Sequence, residues 1–209
     1  MPLHELCVDV DALMLLYLAV PLPSKGRDAA LMPLAPPGGQ AAQRARGAGG
    51  ARGGAVFTSN AVFLFMNCEP VAGKVYPNIF WRRSFDGALM VSWVGSPDQT
   101  ANHPHVQRLR NGQDPILLFA RLPRGHYTLL GRLACEGYGI DEADEAQPPV
   151  DGTGLLLLRM RLLDAERLVN SREVAHLFKC AQGEAGTALI MRHVHVKEGG
   201  NKNRAASSA

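Results

Sequence analysis

Apolar and polar positions alternate in short blocks along most of the chain, and the blocks are too brief for long helices. Ala61 to Met66 is a continuous apolar run between polar residues and predicts a strand. Asn78 to Arg83 and Ala88 to Val94 predict two more, joined by Ser84-Phe-Asp-Gly87, where Asp-Gly suits a hairpin turn. Pro115 to Leu122 is the clearest strand. Pro123-Arg-Gly125 turns it, and His126 to Leu133 returns as its partner. Leu155 to Leu162 is a further strand, and Ala188 to Val196 a last candidate. His105 to Arg110 predicts a short helix stopped at Asn111-Gly112. Asp164 is placed as the N-cap of another. Many strands at close spacing and few helices predict a mainly β protein, a single small β-barrel or pseudo-barrel with one or two short helices.

The flanks read differently. Residues 1–22 hold the apolar run Ala12 to Val20, too short for a span of about 20 apolar residues. Glu5, Asp9 and Asp11 precede it where a secretory signal would be basic, so it reads as a short helix or strand covering the main domain. Residues 23–55 are rich in Pro, Gly, Ala and Arg and read as a flexible linker. Residues 56–196 form the β-rich binding domain, and 197–209 a disordered polar tail.

Composition narrows the classes. The four cysteines, Cys7, Cys68, Cys135 and Cys180, form no CxxC pair and read as reduced thiols of an intracellular protein, cytoplasmic or nuclear. A net charge of +3 is too small to indicate nucleic acid by itself. Its distribution is more informative. Between Trp81 and Arg132 the basic residues are all arginine (Arg82, Arg83, Arg108, Arg110, Arg121, Arg124, Arg132), against Asp86, Asp98 and Asp114. Residues 136–151 are acidic with no base and read as a loop.

Motifs of chemistry are sparse. No Walker A loop, dinucleotide fingerprint or G-x-S-x-G elbow occurs. His193 and His195 share a strand face but lack further metal ligands nearby, so no metal and no cofactor is expected. His195-Val-Lys197 has two residues of a phospholipase-D-type nuclease motif, but Lys202 stands where its aspartate belongs. His103 beside Asp98 has no nucleophile with it, so the chain reads as non-catalytic. A richer constellation combines Trp81, Arg82, Arg83, Trp93, Ser96, Gln99, Thr100, His103, Gln107 and Arg108, with Arg121, Arg124 and Tyr127 further on. Aromatic rings stack on bases, arginines hold phosphates and amides read base edges.

The order Ser92-Trp93, Ser96-Pro-Asp-Gln99-Thr100, His103-Pro-His-Val-Gln107-Arg108, Ile116-Leu-Leu-Phe119-Ala-Arg121 and Tyr127-Thr-Leu-Leu130-Gly131 resembles a known pattern. It is similar to the uncharacterised C-terminal domain of bacterial superfamily-2 helicases of restriction-like systems, which often also carry a phospholipase-D-type nuclease. The resemblance covers about residues 90–163. It implies a DNA target-recognition module that extends to modified bases, a helicase or nuclease partner, and an SRA/PUA-like or B3-like pseudo-barrel. The helicase and nuclease are absent from this sequence, so no motor or cutting activity carries over. The alternative is a protein-interaction or structural β-domain in a larger complex. It expects the arginines to be scattered or paired with carboxylates.

Overall fold

A computed structural model describes residues 5–23, 54–68, 80–83, 85–95, 100–122, 124–138 and 156–181. The protein is mainly β. Helix α1 (Val10–Tyr17) precedes strands β1 (Ala55–Phe57), β2 (Val62–Asn67), β3 (Phe80–Arg82) and β4 (Leu89–Val94). Helix α2 (Pro104–Arg110), β5 (Ile116–Arg121), β6 (Thr128–Tyr138), β7 (Leu157–Leu162), a 3-10 turn (Ala165–Leu168) and α3 (Arg172–Ala181) follow. The strands form one seven-stranded mixed sheet in the order β1-β2-β5-β6-β7-β4-β3. Among the described strands only β2 and β5 run parallel, in register from Val62 opposite Ile116 to Asn67 opposite Arg121. The candidate strand Ala188 to Val196, residues 24–53 of the 23–55 linker and the 197–209 tail lie outside the described residues.

Strands β2 and β5 are buried on both faces, which is why they read as unbroken apolar runs rather than alternating ones. On one face, Val62, Leu64, Met66, Ile116 and Leu118 meet Val106 and Leu109 of α2 and Val174 and Leu177 of α3. On the other, Phe63, Phe65, Leu117 and Phe119 meet Leu13 and Met14 of α1, with Leu6, Val8 and Leu22 at its flanks. Phe65 stacks on Phe119 at 5.3 Å and meets Tyr127 edge-on at 5.1 Å.

The sheet is strongly curled. In a flat sheet β1 and β4 would stand five strand spacings apart, about 24 Å, beyond the reach of any side chain. Yet a Cβ on Gly54, which leads into β1, would lie 3.9 Å from Trp93 Nε1 of β4. The described strands do not close the ring: β1 and β3 remain its edges.

The N-terminal segment is stitched to the sheet. The Asn60 side chain accepts from the Val8 N–H and donates to the Val8 carbonyl, both at 2.8 Å. Asp9 caps α1 by accepting from Ala12 N–H at 2.9 Å. Beyond α1, the Ala19 and Leu22 amides donate to Leu129 and Tyr127, each at 2.8 Å. That stretch occupies the edge of β6 that β7 leaves open, since β7 pairs with β6 only from Leu133 onward. Among the described residues no helix is long and apolar enough to cross a membrane.

Three expectations need correcting. Residues 136–138 belong to β6 rather than to an acidic loop, so the strand runs five residues past the predicted end at Leu133. Asp164 precedes the 3-10 turn but makes no side-chain cap bond, because its carboxylate is turned to Arg132. Among the described residues three helices and a 3-10 turn are present where one or two helices were expected. The amphipathic segment of α3 went unassigned.

Candidate interaction surface

The segment from Trp81 to Arg132 spends most of its polar groups on the protein itself. At the β3–β4 hairpin, Arg82 is exposed and donates to the Gly87 carbonyl at 3.0 Å. Gly87 holds the positive φ, 69°, that the Asp-Gly turn predicted. Arg83 donates through Nε to Asp86 at 2.9 Å, pairs with Asp86 again through NH2, and reaches Glu136 at 2.5 Å. Its guanidinium also lies over the ring of Phe85. The hydrogen bond from Arg83 holds the Asp86 carboxyl well below the usual carboxylate range. Trp81 is half-buried opposite Met90. Trp93 and Tyr127 are core residues, 2% and 1% exposed, so neither ring presents a stacking platform.

Around α2 the pattern repeats. Thr100 is exposed, and its carbonyl accepts from the His103 amide at 3.0 Å. His103 is the N-cap, its Nδ1 accepting from His105 N–H at 3.2 Å, with Pro104 in the first turn where a missing N–H costs nothing. Gln107 donates to the Ala101 carbonyl at 2.7 Å. Arg108 donates to Asp114 at 2.6 Å and to the Thr58 carbonyl at 2.5 Å, which ties α2 to the β1–β2 turn. His105 stacks on Phe57 with ring centroids 4.0 Å apart. Burial there, with His103 and Arg108 adding, lowers the His105 pKa.

At the far end of β5, Arg121 donates to Asn67 at 2.8 Å and lies over the Tyr127 ring. Arg124 is exposed in the β5–β6 turn with φ 61°. Ser96 and Gln99 lie outside the described residues, as does Asp98, the carboxylate considered with His103. The fold therefore distributes the expected contact residues over the β3–β4 hairpin, the α2 region and the β5 end. Among the described residues no three His, Cys, Asp or Glu side chains are grouped to hold a metal ion.

A second charged network went unrecognised in the sequence because Arg132 and Asp164 at its heart meet only through the β6–β7 pairing. Asp164, 3% exposed, accepts from the Arg132 backbone N–H at 2.8 Å and from Arg132 Nε and NH2 at 3.1 and 3.0 Å. Arg167 NH1 adds a bond at 3.4 Å. Burial alone would raise the Asp164 carboxyl, but the bonds from Arg132 and Arg167 outweigh it and hold the pKa below the ordinary value. The same hydrogen bond raises Arg132, and Asp11 of α1 adds to its field. Gly131 makes room for this carboxylate. It has φ 120°, and a Cβ on it would sit 2.7 Å from Asp164 Cβ. Two residues past Ala134, at a β-bulge between Cys135 and Gly137, Glu136 pairs with both Arg83 and Arg161, the latter at 3.0 Å. The sequence held one signal for this network: a glycine within an apolar strand marks a bulge or a close approach.

The chain matches no family model, no curated protein and no solved structure.

Proposed function

We propose that this chain is a non-catalytic β-domain that works through its surface, as an interaction or structural module within a larger complex. The observation that carries this reading is the fate of the arginines. Arg83, Arg108 and Arg132 are bound to carboxylates, and Arg121 to an amide and a ring. A guanidinium already paired with an internal carboxylate has less net field to offer a phosphate backbone, and breaking the pair costs its desolvation.

The second reading is a DNA target-recognition module that extends to modified bases, with a helicase or nuclease acting beside it. It draws on the helicase-associated resemblance and on Arg82, Arg110 and Arg124, which are exposed at the hairpin, the end of α2 and the β5–β6 turn. In that reading the curled sheet is part of an SRA/PUA-like or B3-like pseudo-barrel.

Anisotropy titration of the full chain against a labelled duplex, methylated and unmethylated, separates the two. The interaction reading expects no salt-sensitive binding near physiological ionic strength. Affinity that falls steeply with salt, by several counterions' worth of slope, overturns it in favour of DNA.

A further inference from the structure

The N-terminal segment, residues 5–22, is held on the sheet the way a bound peptide is held. The Leu6 carbonyl accepts from the Ser59 amide at 2.9 Å and from Ser59 Oγ at 2.8 Å. The Asn60 side chain closes on both polar groups of the Val8 backbone. Past α1, the Ala19 and Leu22 amides donate to the Leu129 and Tyr127 carbonyls, and His126 Nδ1 lies 2.5 Å from the Leu22 carbonyl. Each of these bonds ends on a main-chain atom of the segment, so the grip is on backbone. Selection falls to the apolar bed, where Leu6, Val8, Leu13, Met14 and Leu22 are buried against Phe63, Phe119 and their neighbours. Main-chain pairing at an open strand edge, with pockets for particular side chains, is how sheets take up peptides.

Three features make the segment detachable. Residues 24–53 join it to β1, and a chain of that length reaches up to about 100 Å, so the segment can leave without moving a strand. Its edge pairing is thin, because Pro21, which stands opposite Thr128, has no N–H to give. Ala19, where that pairing begins, has φ 63°, a left-handed conformation that costs an alanine more than a glycine.

We infer that Ser59, Asn60, Phe63, Phe119 and the open edge at Leu129 form a peptide-binding cleft that the chain's own residues 5–22 fill in cis. Its partner is a protein segment of the same pattern: two apolar residues one apart, a short apolar helix with an acidic cap, then an extended stretch with glycine in the place of Ala19. This rests on the interaction reading above and gives it a location. The tethered segment competes with the partner, so the cleft admits only a segment that binds better than the strained one already there.

The test uses the full chain with a site for a specific protease placed within residues 24–53, and a labelled peptide of residues 5–22. After cleavage the peptide should exchange into the cleft, read by anisotropy, and it should bind the uncut chain at least about tenfold more weakly. Asn60→Ala should weaken it about tenfold through the loss of two backbone bonds. Ala19→Gly in the peptide should tighten it about fivefold. Leu15→Ser in the peptide, at a position 82% exposed, should change nothing. Hydrogen exchange of the uncut chain covers the case in which cutting costs the fold: the Ala19 and Leu22 amides should exchange through an opening that leaves the β2 and β5 amides protected. Exchange of all these amides in one step makes residues 5–22 a fixed part of the core and overturns the cleft. A cut chain that neither releases its own segment nor takes up the peptide does the same. Peptide binding that ignores Asn60 overturns the location. A dimer of the uncut chain that excess peptide dissolves assigns the cleft to a second copy and overturns a separate partner. Each of these outcomes leaves the interaction reading to the duplex titration above, which decides it independently.

Discussion

At the scale of single residues, Gly131 and Asp164 are the most constrained pair in the described structure. The glycine carries a φ of 120° that other residues rarely adopt, and the carboxylate occupies the place where its Cβ would be. Gly131→Ala should therefore destabilise the domain by about 2–3 kcal/mol, read as a lower urea midpoint with an unchanged slope. A second residue-scale expectation concerns acid. His105 lies against Phe57, with His103 and Arg108 close by, and its pKa in the folded protein is lowered. Between that value and the ordinary histidine value of about 6.5, the unfolded chain binds more protons than the folded one. Its contribution is full above the unfolded value and is lost as pH falls toward the folded one. His105→Phe keeps an aromatic stack without a titrating group, so the drop in thermal midpoint from slightly alkaline to mildly acidic pH should be smaller than in the parent. An equal drop in both proteins would show that His105 carries none of it. Asp164 shows how a residue can be legible while its role is not. An aspartate before a helical turn reads as a cap, and only the β6–β7 register brings Arg132 close enough to claim it.

At the scale of elements, strands were far more legible than their pairing. Runs such as Ile116 to Ala120 announce themselves because both faces are buried. Nothing local in them states that β2 lies parallel to β5 while every other neighbour is antiparallel. The β6 extension was hidden because Cys135 to Tyr138 carries an acid and a glycine, and its pairing with β7 overrides those poor local preferences. The core aromatics misled in the opposite direction. Trp93 and Tyr127 look like stacking platforms in sequence, but ring size alone cannot tell an exposed face from the inside of a curled sheet. Helix α1 belongs at this scale too. Its Leu13 and Met14 cover Phe63 and Phe119, while Leu15 on its outer side is 82% exposed. Leu13→Ala should cost about 2–4 kcal/mol and Leu15→Ala close to nothing, compared by chemical denaturation. Similar losses at the two positions would mean that α1 does not cover the sheet in this orientation.

At the scale of the whole molecule, charge is arranged as internal pairing first and outward display second. That accounts for a chain whose arginine-rich stretch looked like a polyanion site in sequence and whose described structure gathers its most exposed anchored guanidinium groups on β6, β7 and the following turn instead. The parallel pairing of β2 with β5 has a consequence in time as well as in space. The two strands are separated in the chain by β3, β4 and α2, and no tight turn can join them. A long loop must therefore close before they pair, and a chain emerging from synthesis holds β2 with one edge unsatisfied until β5 has appeared. Until then Phe63 and Phe65 have the N-terminal segment on one side as their available cover. Helix α1, which precedes both strands in the chain, is also the element that can shield β2 while its pairing with β5 waits.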